Sequence, residues 1–575
     1  PWCGKRMTPF NYKFDFKTKW TLARCSNDTS PCIFTDSSFD PKTSLPVVTV
    51  DSDIYTRCPS MIIATVDKFA RLPFRPEIAN IFGRAARRCS IHGFLPHGKY
   101  KSCTVVGDGN HRDGKVQYVR SNFPPDLIIQ DELHLISGPL GTMVGLYESA
   151  VDFLTMGTCD GKTTRPKVIA STATIKGAKD QVRKIFNKPS TLSFPPPGID
   201  REDSFFWWET GKKGKMFVGL SFSQRSGKYA LAKLYAALLQ KIYILKQAKK
   251  FQEKEIDQYW TLVGYYNSIR ELGGANRLVE DDVVKNMGFL ADAIYGNKNN
   301  IRDPGSPENG IDELTGRKTQ REINEIRDKL EKSLPDKDVI SVLLATNMIS
   351  VGIDIDRLSL MTVNGQPKSA TEYIQATGRI GRRAEFPGSV FVLFNPYKPR
   401  DLSHYENFGG FHNTMQKHVE PSSLTPFSIP AYTRAIHAVF ISMMRLSNHF
   451  LAEKTQANDF EISDGESATK FLLDRFKSVE QFDENSQPYK DFEKKVVTFQ
   501  EQWQKFIQEV DDNTSLDETV WYNNPYDPYH KEQEKNPSVL MIEFAKRGEQ
   551  KSDKFPISTP ESFRDVEQQL EMEYV

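Results

Sequence analysis

The sequence predicts an α/β protein in which parallel strands alternate with helices, and three observations support this. Short apolar runs at 127–129, 168–170 and 342–344 each lead into polar residues, as strands buried in a parallel sheet do. Stretches with helical periodicity follow these runs. A segment rich in Pro and Gly at 187–214 lies between the second and third runs, and its composition is typical of a linker.

A chain of 575 residues is long enough for several domains. The second α/β domain is predicted to contain a long loop at 284–312, because Asn, Gly and Pro are frequent there. The predicted boundaries are 1–45 for a polar, zinc-ribbon-like insertion, 46–195 for the first α/β domain with an insertion at 84–122, 215–400 for the second, and 401–575 for a mainly helical accessory region.

Composition is ordinary for a soluble globular protein, with 26% charged and 38% hydrophobic residues. The formal net charge of +2 does not indicate a nucleic-acid binder, although a large protein can carry a basic channel within a nearly neutral total. No apolar run reaches the roughly 18 residues of a membrane span, and the start contains no secretory leader. We therefore expect a cytoplasmic protein without membrane contact.

The seven cysteines are unevenly spaced, which is typical of a reducing compartment. Cys3, followed by Gly4, resembles the second half of a Cys-x-x-Cys-Gly knuckle, and Cys25 and Cys32 could complete a structural zinc site. Their separation is wider than in a usual knuckle, so unrelated buried thiols are the alternative. A second set that could hold zinc, with a spacing that matches no standard finger, consists of Cys89, His92, His97 and Cys103.

The acidic pair Asp131 and Glu132 directly follows the first predicted strand. The first carboxylate of such a pair can hold Mg²⁺ on the phosphates of a nucleotide, and the second can polarise an attacking water. The alternative is a strand that ends in a solvated acidic turn.

Small hydroxyl residues, Ser171, Thr172 and Thr174, follow the next predicted strand. At a strand end they could hydrogen-bond the acidic pair and relay the state of the nucleotide to a neighbouring domain. The alternative is a strand that runs into a helix cap.

Two further segments could contact phosphate groups. Thr65 and Asp67 are predicted to cap a helix whose first N–H groups could hold a phosphate, and an ordinary strand–helix joint is the alternative. Gly316 and Arg317, just before a predicted helix at 319–334, could contact a nucleic-acid backbone.

A basic set near the end of the second domain is the other strong signal. The segment 371–383 reads as a helix in which Arg379 and Arg382, three residues apart, project from one face, with Gln375 one turn earlier. Two guanidinium groups on one face suit a transferring phosphoryl group. A solvated basic helix face is the alternative.

Four pieces stand in a fixed order: Asp-Glu-Leu-His, Ser-Thr-Ala-Thr, Ala-Thr-x6-Gly-x-Asp and Gln-x-x-Gly-Arg-x-Gly-Arg. Together they resemble motifs II, III, V and VI of superfamily 2 helicases and translocases. The resemblance covers roughly 45–400. It implies two RecA-like domains, with ATP bound between them and nucleic acid across their tops.

The resemblance implies roles for residues of the first domain. Asp131 would ligate Mg²⁺ and Glu132 would be the general base for water. His134 would belong to the nucleotide site and, with Ser171, Thr172 and Thr174, couple it to motion. A backbone contact to nucleic acid is implied for Thr65 and Lys68.

Roles in the second domain follow from the same resemblance. Gly352 and Asp354 would approach the ribose and sense the nucleotide. Arg379 and Arg382 would be arginine fingers, and Gln375 would assist at the γ-phosphate. Nucleic-acid contacts are implied for Gly316, Arg317, Thr346 and Asn347.

A narrower resemblance lies in the segments 130–142, 264–274 and 399–406, which are similar to the helicase subunit of the bacterial DISARM anti-phage system. It implies a DNA substrate, single-stranded or a duplex with an end, and a partner subunit from the same defence system.

Motif I, the phosphate-binding loop with its Lys, is absent from the sequence, and little precedes the segment that resembles motif Ib. In the family these parts lie upstream, so we expect the sequence to be a C-terminal portion of a longer protein or one piece of a split one. An ATP-driven DNA translocase is then the leading hypothesis. A non-catalytic DNA-binding scaffold and an RNA-remodelling helicase of the same superfamily are the alternatives.

Overall fold

The computed structural model divides the chain into two compact units. Unit 1 comprises Pro1–Thr191 and Ser422–Val575, and unit 2 comprises Leu192–Pro421. The structure describes residues 3–27, 32–35, 39–95, 103, 114–119, 122–172, 177–188, 190–196, 198–199, 203–208, 214–298, 300–302, 310–336, 338–350, 354–420, 423–511, 519–522, 540–543, 557–560 and 562–563.

The strands among these residues are β1 (Tyr12–Asp15), β2 (Trp20–Ala23), β3 (Arg87–Cys89), β4 (Gly93–Leu95), β5 (Val116–Tyr118), β6 (Leu127–Gln130), β7 (Gly157–Cys159), β8 (Lys162–Thr164), β9 (Lys167–Ala170), β10 (Asp203–Ser204), β11 (Trp207–Trp208), β12 (Met216–Ser221), β13 (Leu262–Tyr266), β14 (Ile311–Leu314), β15 (Val342–Ala345), β16 (Leu360–Asn364), β17 (Ser389–Phe394), β18 (Met541–Glu543) and β19 (Ile557–Thr559).

The α-helices are α1 (Asp51–Arg57), α2 (Gly138–Thr155), α3 (Ala178–Phe186), α4 (Gly227–Gln247), α5 (Glu253–Trp260), α6 (Ile269–Leu272), α7 (Ala275–Arg277), α8 (Val284–Tyr295), α9 (Gln320–Glu331), α10 (Ala370–Gly378), α11 (Pro399–Glu406), α12 (Phe408–Asn413), α13 (Ile429–Ser447), α14 (Glu466–Glu480) and α15 (Gln487–Asp511). No helix among the described residues is long and apolar enough to cross a membrane.

Unit 2 is built on a six-stranded sheet with the order β12-β17-β16-β13-β15-β14, and each neighbouring pair in it is parallel. Alternate residues of its central strands enter two separate cores. Leu343 packs with residues of α9 and α10, whereas Leu344 packs with residues of α4 and α8. Helices therefore cover both faces, which confirms the predicted α/β class and explains why each residue of β15 is buried.

A buried polar chain fixes the centre of this sheet. The hydroxyl groups of Tyr235 and Tyr266 lie 3.1 Å apart, and Thr362 donates to Tyr235 at 3.1 Å. A Cβ at Gly264 would lie 2.0 Å from the Tyr235 hydroxyl oxygen. Gly264 is therefore required for the close approach of α4 to β13.

Unit 1 is organised around helices. In α2, 13 of the 18 residues are buried, and this helix shares one core with α13, α14 and α15. The side chains of Asp152 and Arg475, both almost fully buried, form an ion pair at 2.7 Å in this core. β6 and β9 pair in parallel and form a small sheet. Only one face of this sheet packs against the core of unit 1.

The predicted strands at 127–129 and 168–170 are confirmed, but their predicted burial is wrong. Ile128, Val168 and Ala170 pack against the core of unit 1, while Leu127 and Ile129 are 45% and 63% exposed. The sheet has two strands among the described residues, so the apolar residues of its other face meet no covering element there.

Two other boundaries differ from those predicted. The expected loop at 284–312 contains α8, because Met287 and Ala291 are fully buried and anchor a helix despite the nearby Gly and Asn residues. The expected accessory region at 401–575 is also divided. Its part from Ser422 onward belongs to unit 1, where Leu424 packs so closely on α2 that a Cβ at Gly141 would lie 2.3 Å from it.

Candidate functional site

The acidic pair lies at the carboxyl end of the small sheet in unit 1. The register of β6 and β9 pairs Gln130 with Ala170, which brings Asp131 beside Ser171. Backbone bonds extend the pairing past the strands, from the Ser171 amide to the Gln130 carbonyl at 2.9 Å and from the Leu133 amide to the Ser171 carbonyl at 2.8 Å. Two sequence motifs that are 40 residues apart thus meet at one sheet edge.

Asp131 is held in its ionised form by two donors. The Ser171 hydroxyl donates to Asp131 Oδ1, and the Glu132 amide donates to the same oxygen at 2.9 Å. These hydrogen bonds, that of Ser171 foremost, hold the pKa of Asp131 below its ordinary value. A carboxylate that stays ionised, with a hydroxyl group beside it, has the hard oxygen chemistry that Mg²⁺ prefers.

Glu132 and His134 form the second half of this edge. Glu132 has a left-handed backbone (φ 50°, ψ 48°) and begins the short 3₁₀ turn Leu133–Leu135, a conformation that is unfavourable for a non-Gly residue. His134 Nδ1 lies 3.4 Å from Glu132 Oε2 and 3.4 Å from Thr172 Oγ1. The histidine thus contacts both predicted motifs, while Thr174 lies outside the described residues.

Sequence reasoning missed the side chain that supports this turn. Gln181, on α3, is buried and donates at 2.9 Å to the carbonyl oxygens of both Leu133 and Ile136. A glutamine on an amphipathic helix carries no local sign of such a contact, since its partners lie more than 40 residues away.

The structure lacks the helix cap that was predicted at Thr65 and Asp67. Thr65 precedes a 3₁₀ helix, Val66–Arg71, and its side chain makes no cap hydrogen bond, so the predicted cap is wrong. Lys68 Nζ pairs with Asp51 Oδ2 at 2.5 Å. Asp67 Oδ1 accepts a hydrogen bond from the Phe563 amide at 3.2 Å. This carboxylate therefore binds a segment far along the chain and does not cap a helix.

In unit 2 the arginines lie beyond the end of a helix. α10 ends at Gly378, so the prediction that Arg379 and Arg382 project from one helical face is wrong. Gly381 has φ +63°, and a Cβ there would lie 2.1 Å from the Gly388 nitrogen. The chain therefore turns sharply between the two arginines, which the glycine spacing could have indicated.

Arg382 forms an ion pair with Asp354. Two residues of the predicted nucleotide set are thus in contact, while Gly352 lies outside the described residues. Lys215, which the sequence did not single out, donates to the Thr377 carbonyl at 3.0 Å. Burial, with a smaller contribution from the charge of Arg382, lowers the pKa of Lys215.

Gln375 lies on α10 before these arginines. Its Nε2 is buried and has no hydrogen-bond partner among the described residues. A buried amide donor without a partner is costly, and such a group is therefore a candidate for contact with a ligand.

The predicted nucleic-acid contacts of unit 2 share one edge of the large sheet. β14 and β15 pair with Leu314 opposite Ala345, so Gly316 and Arg317 follow one strand while Thr346 and Asn347 follow its neighbour. The Thr346 amide donates to the Leu314 carbonyl at 3.3 Å. Arg317 is exposed, and its guanidinium group donates to the Ile269 carbonyl at 3.3 Å.

The three predicted zinc thiols lie together. The sulfur atoms of Cys3 and Cys25 are 3.4 Å apart, and the Cys25 thiol also interacts with that of Cys32. The Cys25 amide donates to the Phe34 carbonyl at 2.7 Å, which fixes the two thiol-bearing segments side by side.

Comparison with known proteins gives matches to helicases. Residues 303–384 match the family described as the helicase conserved C-terminal domain. The DISARM protein DrmA of Bacillus paralicheniformis is 41% identical over 493 residues, which is 84% of this chain and 42% of that protein. The chain thus spans less than half the length of this relative.

Two solved structures show weaker likenesses. The crystal structure of the DUF1998 helicase MrfA bound to DNA has 18% identity and a TM-score of 0.39, covering 55% of this chain and 37% of that one. The helicase Lhr of Mycobacterium smegmatis, bound to ssDNA and AMP-PNP, has 14% identity and a TM-score of 0.36, covering 64% and 38%. At these values neither likeness extends to function.

The ordered motifs and the matched domain define the class: the chain contains the motifs and the conserved C-terminal domain of superfamily 2 helicases. Within that class it is similar to the DISARM protein DrmA, and the resemblance recognised in the sequence is thereby confirmed.

Proposed function

We propose that this chain is part of an ATP-driven DNA translocase of a bacterial anti-phage defence complex that acts in the cytoplasm. The observation that carries the proposal is the contact network at the edge of the small sheet, where Asp131 meets Ser171 and His134 meets both Glu132 and Thr172. These three contacts connect the predicted catalytic residues Asp131 and Glu132 with the predicted coupling residues.

The acidic edge suits the chemistry of ATP hydrolysis. Asp131, kept ionised by Ser171, would hold Mg²⁺, which when bound neutralises charge on the phosphates. Glu132 would orient the attacking water and accept its proton. His134 would respond to the position of Glu132 and transmit a change in it to Thr172. Thr174 is proposed as a further coupling residue.

The basic set of unit 2 suits the phosphoryl group. Arg379 and Arg382 would supply positive charge, and Gln375 would use its buried amide to contact the γ-phosphate. The pairing of Arg382 with Asp354 offers a simple switch, because an incoming phosphate would compete with that carboxylate. Gly352 is proposed to lie against the nucleotide.

DNA is the proposed polymer, and a partner subunit of the same defence system is proposed to share in binding it. Gly316, Arg317, Thr346 and Asn347 would contact the phosphate backbone from unit 2. Thr65 and Lys68 would do so from unit 1, with Lys68 exchanging Asp51 for a phosphate. The similarity to the DISARM protein DrmA supports this assignment.

Hydrolysis requires a phosphate-binding loop, and we propose that sequence outside the printed chain supplies motif I. The greater length of the relative is compatible with this proposal. Cys3, Cys25 and Cys32 are proposed to hold a structural zinc ion, which would fix the N-terminal segments without taking part in hydrolysis.

The variant Glu132→Gln in the full-length protein tests the proposal. ATP turnover should fall by about 100-fold or more, because the general base is lost, while nucleotide binding persists. Glu493→Gln, an exposed position on α15 of the same unit, is the matched control and should keep full turnover. Retained turnover in Glu132→Gln would contradict the assignment.

The same assay separates the alternatives. A parent protein that binds DNA but shows no turnover would be a scaffold. Turnover stimulated by RNA and not by single-stranded DNA would identify an RNA-remodelling helicase. Stimulation by single-stranded DNA alone is the expected result.

A further inference from the structure

A second thiol and imidazole cluster lies in unit 1, within the small sheet formed by β3, β4 and β5. Cys89 is the last residue of β3, and His92 directly precedes β4 in the same hairpin. Cys103 comes from the following segment. The candidate ligand atoms of these three residues all lie within 4.8 Å of one another.

The distances suit a common metal ion. His92 Nδ1 lies 3.5 Å from Cys89 Sγ and 3.1 Å from Cys103 Sγ. Around a tetrahedral zinc ion, with bonds of about 2.3 Å to sulfur and about 2.0 Å to nitrogen, a sulfur and a nitrogen ligand lie about 3.5 Å apart. One imidazole nitrogen thus faces both sulfur atoms, as a shared metal ion requires.

The hairpin turn fixes the position of the Cys89 sulfur atom. The Ile91 amide donates to Cys89 Sγ at 3.4 Å, which holds the sulfur beside the His92 imidazole. The turn is closed by Gly93, whose φ is +86° and where a Cβ would lie 2.3 Å from the Thr56 carbonyl oxygen. Only glycine fits this position without strain.

The surroundings leave little room beside the sulfur. A Cβ at Gly114, just before β5, would lie 2.9 Å from Cys89 Sγ. Cys89 is 1% exposed and His92 is fully buried, whereas Cys103 is half-buried. Among the three ligands, Cys103 is therefore the one nearest to solvent.

We propose that Cys89, His92 and Cys103 bind a structural Zn²⁺ ion, with a water molecule or a further side chain as the fourth ligand. Binding would form two zinc–sulfur bonds and one zinc–nitrogen bond through His92 Nδ1. The protons of the two thiols would pass to solvent, and the imidazole would remain neutral with its proton on Nε2. No change of oxidation state occurs.

The ion would tie the segment that carries Cys103 to the β3–β4 hairpin. This small sheet has three strands of three residues each, which is shorter than the roughly five to six residues of a usual strand. A structural metal ion is one of the means by which small elements are stabilised. The proposal concerns folding of this insertion and is independent of ATP hydrolysis.

Zinc content of the purified full-length protein tests the site. The variants Cys89→Ser and Cys103→Ser should each lose one equivalent of zinc relative to the parent, after exchange against a weak chelator. Cys58→Ser is the matched control, because this half-buried thiol donates to the Tyr55 carbonyl at 3.3 Å and lies in the same unit. It should lose none.

A third variant guards against loss of zinc through misfolding. His92→Cys preserves a metal ligand at this position and should keep the equivalent. X-ray absorption at the zinc edge should then show one more sulfur and one fewer nitrogen ligand than in the parent. Replacing Cys3 by Ser in parallel assigns any further equivalent to the N-terminal thiols.

Two results would overturn the proposal. One is a parent protein that keeps no zinc beyond the amount removed by Cys3→Ser. The other is zinc content in Cys89→Ser and Cys103→Ser equal to that of the parent. Loss of zinc in both, with retention in His92→Cys, would establish the site.

Discussion

The two parallel sheets of this protein use similar sequences in different surroundings. β6, with the sequence Leu-Ile-Ile-Gln, has one neighbouring strand in the described part of the chain, and its residues alternate between exposed and half-buried. β15, with the sequence Val-Leu-Leu-Ala, has a neighbour on each side and is buried at every position. An apolar run therefore specifies a strand, whereas the neighbouring elements decide how much of it is buried.

Both sheets nevertheless place their polar residues by the same rule. Asp131 and Ser171 meet beyond β6 and β9, and Arg317 and Thr346 follow β14 and β15. In each case the carboxyl ends of parallel neighbours form one edge. The candidate site thus depends on strand register, which even a two-stranded sheet preserves, more than on the size of the sheet.

The largest expected effect compares one residue from each sheet. Leu343→Ala should reduce the free energy of unfolding by about 2–5 kcal/mol, because Leu343 is fully buried and its loss leaves a cavity. Ile129→Ala, at a position that is 63% exposed, should reduce it by less than about 1 kcal/mol. Chemical denaturation of both variants measures the difference.

Equal losses of unfolding free energy in the two variants would contradict the difference in burial between the two sheets. A large loss for Ile129→Ala in the full-length protein, in particular, would mean that additional sequence covers the outer face of β6 and β9. That outcome would support the proposal that the phosphate-binding loop, with further strands, completes this domain.

The contrast also explains what the sequence could predict. The strands 127–130, 167–170 and 342–345 were predictable because apolar runs with polar ends have few other structures. The exposure of Ile129 was not, since it depends on which strands lie beside it. The helix α8 was not predicted for a related reason: Met287, which anchors it, is buried through packing with residues of α4.

The second-largest expected effect concerns Glu148. This residue lies on α2, a helix of the core against which the sheet of β6 and β9 packs. Burial, opposed in part by Arg475 and Lys188 and reinforced by Asp152, raises the pKa of Glu148 to about 8. A folded-state pKa above the unfolded value of about 4.5 means that this carboxyl favours folding below the lower pKa. That contribution is lost as the pH rises through about 8.

Glu148→Gln should therefore remove part of the pH dependence of unfolding between these two values, up to a few kcal/mol. Denaturation of parent and variant at a series of pH values measures it. Glu466→Gln, at the exposed start of α14 in the same unit, should leave the dependence as it is in the parent. An unchanged profile in Glu148→Gln would show that Glu148 is ionised in the folded protein.

The candidate site was predictable in its membership and less so in its geometry. The motifs that contain Asp131, Ser171, Arg379 and Arg382 can be recognised in the amino-acid sequence alone. The end of α10 at Gly378 and the support of Leu133 by Gln181 depend on distant contacts. Close approach of Gly381 to Gly388 and burial of Gln181 are tertiary effects, which no local pattern records.

The smallest expected effect tests the contact on which the acidic edge depends. In Ser171→Ala, Asp131 keeps the Glu132 amide but loses its hydroxyl donor, so its pKa should rise towards the ordinary value. Loss of one hydrogen bond should lower ATP turnover of the full-length protein by about 2- to 10-fold. Unfolding should change little, because both side chains are exposed.

Ser467→Ala, at an exposed position on α14, controls for the loss of a hydroxyl group elsewhere in unit 1. NMR titration of the Asp131 carboxyl group reports on the edge of β6 and β9 alone. It therefore distinguishes an effect on this small sheet from an effect on the large sheet of unit 2. If the pKa of Asp131 rises while turnover stays at the parental rate, Ser171 tunes a carboxylate that hydrolysis does not use. If both change together, the register of two short strands sets the charge at the acidic edge, and turnover depends on that charge.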